Sequence, residues 1–493
     1  MKIRRIIPLL FAGMVLLSLL MHLPVMRQDL TGFHVWRQTQ TQNSILSFAF
    51  EDSNILNPRR NERGAGDGIF RMEFPLMQWL ISWPVRWGAL PVPATRIAMF
   101  VIGILTMAGT WLLARRLFQN PWIALAAPWL VGFSPLFYYY TVNPLPDMMA
   151  LMLAVWSILL LVIWRDKRLL GCWIGGWMLL SLAALVKLPF ILYAGLPGWW
   201  WIFDRRSGDH TLRIKWMEFG LALLIVIPFF AWYLWVIPGW DENGITRGIL
   251  SMNEEQRSSY LYYLWYFIRT TFPEVITGWP ALMLLIGGAF FLVRTFPRRP
   301  VSFYGWMMPV LLFMLLVLFE LNMLETVHDY YFMPLLPFAM LAGIYFLNRI
   351  WSGNRRIWIV ASVILLLIQP VYSYFRMQPR WERTGFNTDL LTFRDDLRHA
   401  VEDDALVLVG NDPSKHIFLY YVGKKGWVYQ NDWLTEEELK TMIRQGCRYI
   451  YSDSRAIDEN PAFTRHFGTE IDRFGSVRVF SLQLDHANQT NKP

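Results

Sequence analysis

The chain is short of charge. Asp, Glu, Lys and Arg make up only 17% of its 493 residues, against about 25% in an average soluble protein. It is also short of cysteine, with Cys172 in an apolar run and Cys447 in a polar tail, so a disulfide-stapled scaffold is excluded. No G-x-G-x-x-G or P-loop occurs, which removes the usual nucleotide signatures. No Lys/Arg-rich run with interleaved aromatics tracks a phosphate backbone, so the net charge of +9 does not point to nucleic acid. No internal repeat and no low-complexity linker is evident.

What is abundant is apolar residue: 55% hydrophobic and 16% aromatic, with a mean hydropathy of +0.30. A soluble core cannot absorb that much, whereas a bilayer solvates apolar side chains on every face of a helix. A span needs roughly 20 apolar residues. The runs that qualify are 6–25, 95–114, 121–140, 146–164, 169–188, 190–203, 217–237, 276–293, 302–320, 329–347 and 357–374. This gives an α-helical polytopic membrane protein with about eleven transmembrane helices. The N-terminal run is long for a signal peptide and lacks an A-x-A site, so it reads as an uncleaved first span.

The gaps orient the bundle. With the N-terminus cytoplasmic, the inside gaps hold Arg4 and Arg5, Arg115 and Arg116, Arg165 and Lys167, Arg205 and Arg213, Arg294 and Arg298, and Arg349 and Arg356. Every one is basic, as the positive-inside rule requires. Residues 74–90 are apolar but contain Pro84 and Arg86, and counting them as a span would reverse all later gaps. They read instead as an amphipathic helix at the outer interface, where Trp79, Trp83 and Trp87 suit the headgroup region. The outside pieces are then 26–94, 238–275 and the tail. The expectation is a multi-pass plasma (inner) membrane protein with a periplasmic C-terminal domain.

That tail, 376–493, has a different composition. ALVLVG (405–410), CRYIYSD (447–453) and VRVFSLQL (477–484) read as strands, and TEEELKTMIRQG (435–446) as a helix with Thr435 as N-cap and Gly446 as its stop. The pattern predicts a small α/β soluble domain with a mostly parallel sheet. The chain thus divides into a membrane domain over 1–375, whose first outer loop is 26–94, and an α/β domain over 376–493. NDPSKH (411–416), after a strand, could mimic a ligand turn, but a plain strand-to-helix connection fits it better.

Polar residues near the hydrocarbon are the informative ones, because placing them there costs a few kcal/mol. The first outer loop runs TGFHVWRQTQT (31–41), FEDSN (50–54), LNPRRNERG (56–64) and MEFPL (72–76). SPLFYYYTVNPLPDMMALML (134–153), AALVKLPF (183–190) and HDYYFMPLLPF (328–338) follow. In order and spacing these resemble the GT-C glycosyltransferases, in the family that includes protein O-mannosyltransferases and the aminoarabinose transferase of lipid A. His34, Trp36, Arg37, Gln38, Thr41, Pro58, Arg59 and Glu73 to Leu76 match its loop elements. Asp147, Lys187, His328, Tyr330 and Tyr331 match later ones. The resemblance covers residues 1 to about 375. It departs where Gln40 and Asn61 stand in place of expected acids.

The resemblance implies transfer of a sugar from a polyprenyl-phosphate-linked donor to a lipid, glycan or protein acceptor outside the cytoplasm. Such a site needs a carboxylate to take the acceptor proton and cations to hold the departing phosphate. The candidates for acid–base work are Glu73, Asp147, Asp52 and His34. Those for donor or phosphate binding are Arg37, Gln38, Arg59, Lys187, Arg247, Arg269, His328, Tyr330 and Tyr331. No cofactor is firmly implied; some relatives with this fold use a divalent cation, and no metal ligand set is assigned. Each candidate has a plainer reading: a helix cap for Asp147 and Glu73, snorkelling for Lys187, an aromatic belt for the tyrosines and solvated loop surface for the arginines. Two other functions stay open. A transporter or flippase is disfavoured because polar residues gather at one face rather than along a path. A non-catalytic lipid-binding relative is kept open by Gln40 and Asn61.

Overall fold

The computed structural model describes residues 2–203, 212–239, 254–294, 301–326, 328–353, 356–430 and 434–484. Arg247 lies outside them. The chain separates into two compact units: residues 1–27, 72–77 and 95–379 form the first, and residues 28–71, 78–94 and 380–493 the second.

The first unit is helical. Its elements are α1 (Lys2–Met26), α4 (Pro91–Leu117), α5 (Pro121–Gly132), α6 (Pro135–Tyr140), α7 (Pro146–Lys167), α8 (Leu170–Val186), α9 (Gly195–Phe203), α10 (Leu212–Val236), α11 (Glu254–Tyr266), α12 (Trp279–Arg294), α13 (Val301–Thr326), α14 (Leu336–Ser352) and α15 (Arg356–Glu382). Helix α2 (Val35–Phe50) belongs to the second unit, and α3 (Leu76–Arg86) and the ends of α4 and α15 run between the two. Six described helices are long and apolar enough to cross a bilayer. One bent pair, 259–277 with 279–292, and four shorter apolar segments complete the expected set. Each of the eleven expected runs finds its helix, and the protein is a multi-pass membrane protein. Helix α3 has 11 residues. At about 1.5 Å per residue it is too short to span, as its composition suggested.

Two runs are broken rather than straight. In 121–140 the break falls where the Ser134 hydroxyl caps Pro135–Tyr140, accepting from Phe137 N at 3.2 Å. Pro135 fits the first turn because it lacks the N–H that would be orphaned there. The run 276–293 is preceded by a π-helical segment, Phe267–Thr277, and the chain then turns by 107°. Gly278 makes that turn with φ +75°, a region where only glycine is unstrained.

A turn inside an apolar bundle exposes backbone groups that lipid cannot satisfy. Gln369 of α15 meets them. Its Nε2 donates to Thr277 O at 2.9 Å and Phe133 O at 2.8 Å, and its Oε1 accepts from Ala281 N at 3.1 Å. Helices α12 and α14 then approach closely, since a Cβ on Gly288 would lie 1.9 Å from Ala342 O. Small residues at such crossings allow the contact on which helix association in membranes depends.

The second unit is built on a five-stranded sheet of order β2-β1-β3-β5-β4, from β1 (Leu406–Gly410), β2 (Lys425–Val428), β3 (Tyr449–Ser452), β4 (Phe467–Phe474) and β5 (Val477–Leu482). The expected strands and the helix at Glu436–Arg444 are present, the latter with a complete Thr435/Glu438 capping box. The sheet is mixed, however. β1 pairs in parallel with β2 and β3, but β3–β5 and β5–β4 are antiparallel. The difference comes from β4, an exposed polar edge strand that makes a hairpin with β5.

The first loop folds with this sheet. Gly426 of β2 donates to Asn61 O at 3.1 Å, and Arg63 N donates back to Gly426 O at 3.0 Å. Residues 61–64 thus extend the sheet beyond β2. Leu30 and Val35 share a core with Leu397, Val407, Val409, Phe418 and Val477.

Candidate functional site

The charged centre of the first unit is Lys187. It ends α8 in an extended conformation, and Pro189 two residues later starts a tight 3-10 turn, Leu188–Ala194. The side chain does not snorkel: Lys187 is 2% exposed. Its Nζ lies 2.8 Å from Glu73 Oε1 and 3.6 Å from Asp147 Oδ2. One ammonium therefore sits between two carboxylates. Burying such groups is tolerated only when opposite charges and hydrogen bonds compensate for lost water.

Local structure fixes all three. Glu73 is held because its neighbours are tied to the bundle: Phe74 N donates to Leu185 O at 3.0 Å, and Trp232 Nε1 donates to Met72 O at 3.0 Å. The Phe74 ring also packs edge-on against Trp232. Asp147 follows Pro146 in the first turn of α7, with Leu145 as the N-cap residue. There the helix dipole favours a negative charge. The turn before α7 is pinned by Arg96, whose Nη1 donates to Val142 O at 3.1 Å and Asn143 Oδ1 at 3.0 Å.

Aromatic rings close the other side. Lys187 Nζ is 4.2 Å from the centre of the Tyr331 ring and 5.4 Å from that of Tyr330, distances at which a cation is attracted to the ring face. Both tyrosines lie on a second 3-10 turn, Asp329–Leu335. The Tyr330 hydroxyl is 2.7 Å from His328 Nδ1. The neighbouring Asp329 accepts from the Tyr140 hydroxyl at 2.8 Å. The tyrosines are thus part of a buried polar cluster rather than a lipid-facing belt.

The same unit holds an apolar cavity of about 660 Å³. Phe267 and Phe272 of the π-helical segment, Leu285 of α12, Val310 of α13 and Phe338 and Tyr345 of α14 line it.

Of the remaining candidates, Arg269 belongs to the first unit, and Asp52, Arg59, His34, Arg37 and Gln38 lie in the second. Asp52 accepts from Asn54 N at 2.9 Å, Asn57 Nδ2 at 2.9 Å and Arg59 Nη2 at 3.1 Å. The Asn54 N–H first, then Asn57 and Arg59, hold its carboxyl below the usual range. That is a turn-forming carboxylate engaged on three sides. Arg59 also donates to Asp67 O. His34 precedes α2 with φ 59°, and its ring lies tilted against that of Phe33, 3.9 Å between centres. Arg37 donates to the Gln40 side chain, and Gln38 Nε2 donates to Thr31 O and Phe33 O. Asn61 donates to Asn43 Oδ1 at 3.2 Å. Arg269 is exposed on the π-helical segment.

Sequence reasoning missed Arg96, Tyr140 and Asp329. Arg96 opens an expected span and Asp329 stands inside the quoted HDYYF, so both carried the signal of a charge beside hydrocarbon. Tyr140 carried none. Among the described residues no group of three His, Cys, Asp or Glu side chains is arranged to hold a metal ion.

Comparison with known proteins places this geometry. A family model described as dolichyl-phosphate-mannose-protein mannosyltransferase matches residues 74–234, a segment that holds Asp147 and Lys187 and starts one residue after Glu73. No curated protein matches significantly. Among solved structures, the Archaeoglobus fulgidus oligosaccharyltransferase in complex with Zn and sulfate superposes with a TM-score of 0.61 at 12% identity, over 93% of this chain and 71% of that one. ArnT from Cupriavidus metallidurans in the apo state gives 0.58 at 13% identity, over 95% and 98%. The same protein bound to undecaprenyl phosphate gives 0.56 at 12% identity, over 96% and 97%. The chain is a polytopic membrane protein with the GT-C fold, and its residues 74–234 match the mannosyltransferase family model.

Proposed function

We propose that the protein is a membrane glycosyltransferase that moves a sugar from a polyprenyl-phosphate donor to an acceptor hydroxyl on the periplasmic side. The observation that carries this reading is the buried Lys187 between Glu73 and Asp147. A cation set among carboxylates and tyrosines supplies both halves of the chemistry. The acceptor oxygen attacks the anomeric carbon, the bond from that carbon to the phosphate oxygen breaks, and the polyprenyl phosphate leaves with the bonding pair. Lys187 holds the phosphate as charge builds on it. Glu73 or Asp147 takes the acceptor proton.

Three further observations support the reading. The apolar cavity beneath the π-helical segment suits a prenyl tail. A protein of the same fold is known bound to undecaprenyl phosphate. The basic gaps support a cytoplasmic N-terminus and an α/β domain outside the inner membrane.

The test is turnover by the purified protein in lipid nanodiscs, supplied with a panel of polyprenyl-phosphate sugars. Release of polyprenyl phosphate, by hydrolysis or by transfer, is expected with at least one donor. Movement of lipid-linked sugar across vesicles with no such release would mean a flippase and would overturn the proposal. Binding of the lipid without either would leave a non-catalytic relative.

A further inference from the structure

The second unit carries polar groups that neither its core nor the Lys187 centre uses. Helix α2 is buried along most of its length, yet its buried residues include Arg37, Gln38, Thr39, Thr41, Gln42, Asn43 and Ser47. The Gln42 amide is fully buried, with no hydrogen bond to its oxygen or its nitrogen. Asn43 accepts from Asn61, while its own Nδ2 is buried without a partner. A buried polar group left unmet is destabilising. Native folds keep them mainly where water, an ion or a ligand meets them.

Asn61 ties this helix to the segment that carries Arg60. The turn after β1 carries Lys415 and the buried His416, and His416 lies within the electrostatic reach of Arg60, Arg37 and Lys415. The local carboxylates are already engaged. Glu62 pairs with Arg60 at 3.1 Å, and Asp412 accepts from the backbone N–H groups of Ser414 and Phe418. Lys415 is held at φ 62°, a conformation disfavoured for a long side chain and concentrated at functional sites. The turn also leaves β1 where the strand order reverses, β2 lying on one side and β3 on the other. In open α/β sheets ligands bind outside the carboxyl ends of strands at that point.

We propose that the second unit contains an anion-binding site, formed by Arg37, Arg60, Lys415, His416 and the unmet amides of Gln42 and Asn43. It takes a phosphate or carboxylate group of the acceptor; the acceptor assignment rests on the function proposed above, whereas anion binding does not. Arginine forks and amide N–H donors suit either group.

The experiment uses the full chain in nanodiscs of zwitterionic lipid, with ring-labelled histidine and NMR detection, the His416 signal being assigned by His416→Gln. Inorganic phosphate and glucuronate are the two probes. A saturable shift of His416 with one or both is expected, and the stronger probe identifies the acceptor group. Lys415→Asn removes a charge from an exposed residue, and asparagine tolerates φ near +60°, so folding is retained. It should weaken binding at least tenfold, as should Arg60→Ala. Lys187→Ala should leave the shift intact. An absent or non-saturable shift, or equal affinity in Lys415→Asn and Arg60→Ala, overturns the site. Loss of the shift in Lys187→Ala would place the anion at Lys187 and overturn it too. Intact phosphate binding by a protein that never releases polyprenyl phosphate would sink the glycosyltransferase reading and leave this site standing.

Discussion

Lys187 Nζ stands 2.8 Å from Glu73 Oε1, although 114 residues separate the two in sequence. The contact joins the end of α8 to the short segment before α3, and Asp147 completes it from α7. Removing one member of a buried ion pair leaves an uncompensated charge, which costs about 3–5 kcal/mol. Lys187→Ala is therefore expected to lower both thermal stability and turnover. Glu73→Gln and Asp147→Asn keep the shape and remove one carboxylate each. The one that serves as base should lose at least tenfold in kcat with KM little changed, and the other should lose less. Steady-state kinetics on the three variants separates the roles. Wild-type turnover in all three would remove this cluster from the active site.

Gln369 offers a second measurement. Its side chain holds three backbone groups around the turn at Gly278. Gln369→Leu has nearly the same size but leaves Thr277 O and Ala281 N unmet, while Phe133 O keeps the Ser373 hydroxyl. At roughly 1–3 kcal/mol for each unmet group, the variant should unfold at a clearly lower temperature. Hydrogen exchange should rise first in residues 276–282. Unchanged exchange there would mean that Gln369 does not hold the turn.

Much of this was legible in the chain because hydrocarbon leaves few options. Lys187 and Asp147 stood out as charges beside apolar runs, and a span has a length that can be counted. The helix at Glu436–Arg444 announced itself through its cap. What was not legible depends on partners distant in sequence. Nothing in LNPRRNERG shows that Asn61 and Arg63 pair with Gly426, since an edge is extended through backbone groups that every residue carries. Strand β4 is exposed on most positions and so lacks the apolar alternation that betrays a strand. The break at Gly278 was hidden because the stretch before it, with Arg269 and Glu274, reads as outer loop rather than helix, and Gln369, which meets the backbone groups of the turn, lies far along the chain.

The proposed topology has its own test. A cysteine replacing Pro91, the first residue of α4, should react with a membrane-impermeant maleimide added from outside intact cells. The background must be quiet. Cys172 is half-buried and is replaced by serine. Cys447 can stay, because burial pushes its thiol up to about 12, and only the thiolate reacts. Labelling from the inside alone would reverse the bundle, and with it the side on which Lys187 works.

Acid should loosen the second unit through His416. Burial, then the charges of Arg60, Arg37 and Lys415, lower its imidazole from 6.5 to about 3. The folded protein thus keeps His416 neutral at a pH where the unfolded chain protonates it. The unfolded state binds more protons, so stability rises with pH across the interval from about 3 to about 6.5 and is flat above it. Lowering the pH from 7 to 5 should therefore destabilise the sheet of the second unit while leaving the helices of the first largely unaffected. Hydrogen exchange of peptides from β1 and β3, compared at the two pH values after correction for intrinsic rates, reads this directly. His416→Gln cannot titrate and should remove most of the slope. A slope unchanged in that variant would assign the acid sensitivity to other groups and leave His416 without a part in it.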